Sequence, residues 1–439
     1  MTLYRKNFNV SDCLGLYLLR GGKYWDLKTS DFVKADIIID NGIIKDIGEF
    51  KLDSFKGNVI NVKDKLIFPG FMDMHVHFRE PGREDEETIA TGSQSATAGG
   101  FTTVCPMPNT EPVIDNQEIV RFILEKGKNV ITDVLPIGAV SKSLKGEEIS
   151  EIADMVNAGV VAISDDGAPI LNLGLMRRCM EYVSMFDIPL IAHCEEKDLS
   201  EEGVMNEGFY STKLGLSGMP RIAEEIAVMR NIMIAEYTRC KLHIAHVSTA
   251  GSLEIIKNAK DRGINITCEV SPHHLVLTDK SIESFDSNFK MNPPLRTQED
   301  IEKLKDGLKN GIIDVIATDH APHSIEEKEG EFDKAPFGVI GLETAFGIIN
   351  KFLIEQNMLT IEKMVEKLII NPRKILKIDL PVIEKNKKAN LVIVQMNKVW
   401  TVKEEDFFSL SRNSPFIGME ITGYIQAVFN KNKVWVNID

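Results

Sequence analysis

The sequence predicts an α/β protein: a (β/α)8 TIM-like barrel with a small discontinuous β-sandwich domain built from both termini. Three observations predict it. From about residue 68 onward, eight short apolar stretches alternate with longer amphipathic ones, the rhythm of a barrel. Both ends of the chain instead carry short strand-like runs broken by turns. And no glycine-rich phosphate turn follows the first strand of the alternating series, as an open doubly wound sheet would normally require. The expected boundaries are 1–67 and 381–439 for the two halves of the β domain and 68–380 for the barrel between them.

The N-terminal strands are expected at Leu16–Leu19, Ala35–Ile39, Ile43–Ile47 and Val59–Val62, with Asn41-Gly42 as a hairpin turn. The barrel strands are expected at 71–77, 102–106, 132–137, 160–165, 189–193, 242–247, 265–270 and 313–318. Helices fill 85–98, 116–127, 147–157, 174–186, 221–239, 250–262 and 298–310, and stretches around 343–356 and 360–370 close the ring. Gly99-Gly100 serves as a helix stop before the second strand. Lys388–Val394, Gly423–Phe429 and Lys433–Val436 return to strand character, the last two as a hairpin, and are expected to pair with the N-terminal strands.

Composition narrows the function. At 439 residues, 43% apolar and 26% charged, the chain suits a soluble globular protein. A net charge of -14 argues against a general nucleic-acid or anionic-membrane binder. It leaves room for an anionic substrate held by a local arginine or metal. The six cysteines form no CxxC pair, and Met1–Cys13 has no apolar h-region; a cytoplasmic protein without a signal peptide is expected. No apolar run approaches the ~20 residues that cross a bilayer.

Barrel active sites stand at the C-terminal ends of the strands. There the sequence places His75-Val76-His77, Asp165-Asp166, His193, His246 and Asp319-His320 with His323. Alternation along a strand puts His75 and His77 on one face. Any one of these histidines could be a hydrogen-bonded core residue. Five strand ends agreeing make a metal cluster the stronger reading. Imidazole and carboxylate without thiolate suit zinc, with manganese, cobalt or iron as substitutes. So many ligands exceed one tetrahedral ion with an open position and suit two ions about 3.5–4 Å apart. Alternation leaves open which of Asp165 and Asp166 faces inward. Arg79 and Asn109, beside strand ends, suit binding of a carboxylate.

The chain resembles the amidohydrolase superfamily, and within its cyclic-amidase branch the bacterial class I dihydroorotases. The motifs that carry this are Pro69–Gly82, Met107-Pro108-Asn109-Thr110, Ser164–Gly167, His193-Cys194-Glu195, His246-Val247-Ser248, Ser271–His274, Lys290–Arg296, Ala317–His323 and Ala335–Gly338. The resemblance implies two zinc ions, His75 and His77 on one, His193 and His246 on the other, bridged by Asp166. Asp319 would ligate the first and transfer protons. The bridge in many cyclic amidases is a carboxylated lysine, but Ile131–Val140 and Gly159–Gly167 contain no lysine. Substrate contacts implied are His77, Arg79, Asn109, Asn292, His323, Phe337 and Gly338. His273, His274 and His320 are not assigned to metal.

The activity implied is the reversible cyclisation of N-carbamoyl-L-aspartate to L-dihydroorotate and water in de novo pyrimidine (UMP) biosynthesis, by a two-metal-activated hydroxide with Asp319 as general acid/base. The alternatives are another cyclic amidase (allantoinase, dihydropyrimidinase or hydantoinase), phosphotriester or nucleobase-deaminase chemistry on the same fold, or a non-catalytic assembly partner of aspartate transcarbamoylase. The lacking lysine and the presence of Arg79 weigh against the first. A homodimer, and an association with aspartate transcarbamoylase, are the partners the resemblance implies, beside the small-molecule substrate.

Overall fold

The computed structural model describes residues 8–13, 15–52 and 55–437. The first seven residues, which bear on the expected lack of a signal peptide, lie outside this range. The barrel strands are β1 (Phe71–Val76), β2 (Phe101–Pro106), β3 (two short pieces, Asp133–Val134 and Gly138–Ala139), β4 (Ile163–Ser164), β5 (Leu190–Ala192), β6 (Leu242–Ile244), β7 (Ile266–Val270) and β8 (Val315–Ile316). All neighbouring pairs are parallel, from β1–β2 round to β7–β8. Pro136 lacks an N–H and separates the two pieces of β3: one pairs with β2, the other with β4. Beyond β8, Asp319 N donates to His75 O at 3.1 Å and His77 N to His320 O at 2.8 Å, which carries the ring back to β1.

Helices follow the strands in turn: α1 (Ile89–Ala98), α2 (Gln117–Gly127), α3 (Ile152–Ala158), α4 (Leu173–Val183), α5 (Ile222–Thr238), α6 (Ala250–Asp261), α7 (Gln298–Lys309) and α8 (Leu342–Ile349). Their starts are chemically marked. Thr88 and Thr297 form capping boxes on α1 and α7, and Asn116 and Thr249 cap α2 and α6. Gly99 caps the end of α1, and Gly100 at φ +86° reverses the chain into β2. Every residue of β1 and β2 is buried, as parallel strands covered by helices must be. No helix among the described residues is long and apolar enough to cross a membrane.

The two ends of the chain form two further sheets. In one, the order is 10–12, 433–436, 420–430, 391–401, 66–69, 23–26, 31–34; in the other, 43–48, 36–40, 16–20, 58–61. N- and C-terminal strands therefore pair directly: Leu391 opposes Pro69 and Trp435 opposes Val10. The two sheets share an apolar layer in which Leu19, Ile37 and Ile39 meet Ile67, Leu391, Ile393 and Phe429. Phe68, at the end of a terminal strand, meets Phe71 of β1, which stacks on Phe346 of α8. Asn430 seals the junction by donating to Thr102 O and Ile131 O. Strands 10–12, 23–26, 31–34 and 66–69 were not expected. β3, β4 and β8 hold their ladders over fewer residues than the apolar runs suggest.

Candidate active site and metal centre

The strand ends converge on one carboxylate. His75 Nε2 and His77 Nε2 each lie 3.4 Å from Asp166, on Oδ1 and Oδ2 respectively. His246 Nε2 lies 3.5 Å and His193 Nδ1 3.7 Å from Asp166 Oδ1. Two triads therefore share one member: His75, His77 and Asp166; and His193, His246 and Asp166. Asp319 stands against the first, with Oδ1 3.1 Å from His77 Nε2 and 3.4 Å from His75 Nε2. His246 and Asp319 both have φ in the left-handed region, +29° and +51°, which side chains other than glycine rarely adopt. Strain of this kind is sustained where the surroundings fix it.

These residues fit a binuclear metal site on the structure's own terms. His75 Nε2 and Asp166 Oδ1 are buried with no hydrogen-bond partner, which is costly for groups that nothing else satisfies. Burial opposes charge on His75, yet Asp166, Glu269 and Asp319 push its pKa well above the ordinary value. Burial opposes charge on His193 too, but Asp166 and Glu195 raise it to about 10. The pocket thus calls for positive charge. Cys194, next in the chain, keeps its proton because burial raises the thiol, leaving the donors as nitrogen and oxygen.

The second layer fixes which nitrogen faces inward. His75 Nδ1 meets Glu269 Oε1 at 2.5 Å, and Glu269 Oε2 meets His243 at 3.1 Å. His77 Nδ1 meets Asn109 Oδ1 at 2.8 Å. His193 Nε2 meets Glu195 Oε2 at 3.2 Å, and Asn292 Nδ2 donates to that same oxygen at 2.9 Å. Asp165 is spent on structure: it accepts from the backbone of His193 and of Ile170. That separates the two adjacent aspartates, since only Asp166 faces the histidines. Asp73 likewise accepts from Thr318 N and His75 N.

Beside this centre a cleft of about 380 Å³ is lined by Arg79, Asn109, Thr110 and His323, with Glu86 and Arg83. Arg79 Nε lies 3.1 Å from both Glu86 Oε2 and Pro322 O. His323 Nδ1 meets Glu86 Oε1 at 3.0 Å, and its Nε2 meets Phe337 O at 2.8 Å. Gly338 N donates to Lys290 O, so the Phe337-Gly338 peptide is held beside His323. A Cβ on Gly338 would come 2.8 Å from His323 Nε2. Of the unassigned histidines, His320 turns outward to Glu87 at 3.3 Å and His274 binds Pro293 O at 2.9 Å.

Sequence reasoning passed over Glu269, Asp73, His243, Glu86 and Glu87. A signal existed for the first two. An acid inside an otherwise apolar strand, as in Ile266-Thr267-Cys268-Glu269-Val270, must have a buried partner.

Comparison with known proteins gives the family. A family model described as dihydro-orotase-like matches residues 64–252. The dihydroorotase of Caldanaerobacter subterraneus is 49% identical over 92% of this chain and 96% of its own length. That of Acetivibrio thermocellus is 48% identical over 93% and 96%. Among solved structures, the L-hydantoinase (dihydropyrimidinase) of Arthrobacter aurescens superposes with a TM-score of 0.84 at 24% identity, covering 96% of this chain and 97% of that one. At that identity the likeness shows the fold alone.

Proposed function

This chain belongs to the dihydroorotase family, and from that premise we propose that it interconverts L-dihydroorotate and N-carbamoyl-L-aspartate. The observation that carries the reading is the sharing of Asp166 by two histidine pairs, with Arg79 bordering the adjacent cleft. His75 and His77 would hold one zinc ion, His193 and His246 the other, with Asp166 common to both and Asp319 beside the first. Such ions, when bound, make water acidic near neutral pH and polarise an amide carbonyl.

In the hydrolytic direction a water oxygen bonds to the ring amide carbon and the ring C–N bond breaks. Asp319 takes the proton from that water and returns it to the departing nitrogen. Burial would raise the Asp319 carboxyl, but His75 and His77 hold it well below the usual range, so it stands as the carboxylate. Ring closure is the same path reversed. Arg79, its Nε anchored by Glu86 and Pro322 O, offers the rest of its fork to the substrate carboxylate. Fixing that carboxylate orients the ring before the barrier is climbed. His323 and the Phe337-Gly338 backbone border the same end of the substrate. Asn109 acts through His77, and Asn292 through Glu195 beside His193, as well as on the substrate.

A homodimer is the assembly that fits. Ile222, Ile226, Met229, Met233 and Tyr237 form an exposed apolar stripe along the outer face of α5. Six buried free thiols suit a reducing cytoplasm. The test is a direct assay of the purified, zinc-loaded protein on dihydroorotate, with allantoin and dihydrouracil as controls. Turnover of dihydroorotate is expected; turnover of a control alone overturns the assignment.

A further inference from the structure

The residues on the carboxylate side of the cleft come from three separate segments, and one distant stretch ties all three together. Ser411 Oγ donates to Glu86 O at 2.8 Å, and Leu410 N donates to Glu87 Oε1 at 3.1 Å. Ser409 Oγ also bonds Glu87. Asn413, 3% exposed, goes further. Its Nδ2 donates at 3.0 Å to Ala321 O and at 3.0 Å to Gly338 O, while its Oδ1 faces His323 N at 3.4 Å. Its own carbonyl accepts from Ile340 N at 3.0 Å.

We propose that Asn413 is a positioning residue for the substrate carboxylate, setting the distance between His323 and the Phe337-Gly338 peptide. This rests on the reaction assigned above. The chemistry points to the carboxamide specifically. A planar amide can donate to two carbonyls from nitrogen while its oxygen faces an N–H. A carboxylate of the same shape can only accept, so it would set an oxygen against the carbonyls of Ala321 and Gly338. Those carbonyls lie on two different loops, each two residues from one that lines the cleft, His323 and Pro336. Losing the donor removes one tie between the two loops, which Ala321 N to Val339 O and His323 Nε2 to Phe337 O still join, so the loops shift rather than separate. That shift falls on the end of the substrate they enclose. His75, His77 and His193 are held independently, by Glu269, Asn109 and Glu195.

The test compares Asn413→Asp and Asn413→Ser with the wild-type, full-length, zinc-loaded protein. Ring opening of dihydroorotate is measured beside that of its methyl ester, which lacks the charge. For either variant, KM for dihydroorotate is expected to rise about tenfold, as one buried unpaired group costs. The drop in kcat should be smaller, zinc content should be unchanged, and the preference for acid over ester should fall about tenfold. An unchanged acid/ester preference overturns the proposal, since a purely structural contact would affect both compounds alike. Failure of both variants to fold overturns it too. If the wild type itself does not open dihydroorotate, the reaction assignment fails instead, and the two failures are distinct.

Discussion

The two sides of the barrel mouth are built in different ways. On the metal side the ligands stand on or just past strand ends, and three of the histidines are backed by a polar group there: His75 by Glu269, His77 by Asn109, His193 by Glu195. On the carboxylate side Arg79, His323, Phe337 and Gly338 lie on loops and are held by Glu86, Lys328 and Asn413. The first side is fixed by the ladder of the sheet. The second is fixed by side chains that reach in from other segments. Damage to the first should fall on turnover and metal, and damage to the second on substrate affinity.

The largest expected effect tests the first half of that contrast. Asp319→Asn keeps the shape of the side chain but removes the base. Turnover should fall by about 10²- to 10⁴-fold, while bound zinc stays close to wild type because His75, His77 and Asp166 remain. Steady-state kinetics with metal analysis on the same sample checks both, and near-normal turnover would sink the proton-transfer role. Arg79→Met addresses the other side. Charge-assisted hydrogen bonds to the substrate are lost, so KM for N-carbamoyl-L-aspartate should rise about a hundredfold with a smaller fall in kcat. A fall confined to kcat would erase the distinction between the two sides.

The same contrast explains what could be read from the sequence. His75, His77, His193 and His246 lie at the ends of apolar runs, where period and barrel topology say which way they face. Asp166 was harder: alternation left it level with Asp165, the family pattern alone chose it, and in the structure the backbone amides of His193 and Ile170 occupy Asp165 while the histidines face Asp166. Lys328 and Asn413 had no such signal. Nothing local about Asn413 shows that it packs 75 residues beyond Gly338 in the chain. The terminal strands missed at 23–26 and 31–34 are a similar case. Their burial comes from Trp25 and Phe32 packing on Phe68, a contact between distant pieces of sequence.

Glu269→Gln sharpens the metal side from within. Glu269 touches no substrate, but it fixes His75 through Nδ1, and burial is outweighed by His75 and His243 in lowering its carboxyl to about 2. Replacing the carboxylate weakens the hydrogen bond that makes His75 a better donor. Zinc affinity should drop about 10- to 100-fold in a chelator competition, with kcat recovering in excess zinc. Unchanged affinity would mean that the inward face of His75 is fixed by the strand alone.

The smallest effect belongs to Lys328, on the loop-held side. Its ammonium is buried and donates to Pro336 O and Gly338 O at 3.0 Å each and to Lys290 O at 3.3 Å. Burial pushes its pKa from 10.5 down to about 7. The unfolded chain then holds this proton more tightly than the folded one. Below about pH 7 both states are protonated and the cost of the buried charge is carried in full. Between about pH 7 and 10.5 the unfolded state binds more protons, so this group's contribution to stability rises with pH. Lys328→Met should abolish that rise. The difference in unfolding free energy between variant and wild type should shift by on the order of 1–3 kcal/mol from pH 6.5 to pH 9.5. Parallel stability curves across that range would show that the three carbonyls hold the ammonium charged, and that this loop is gripped as firmly as the strand ends are.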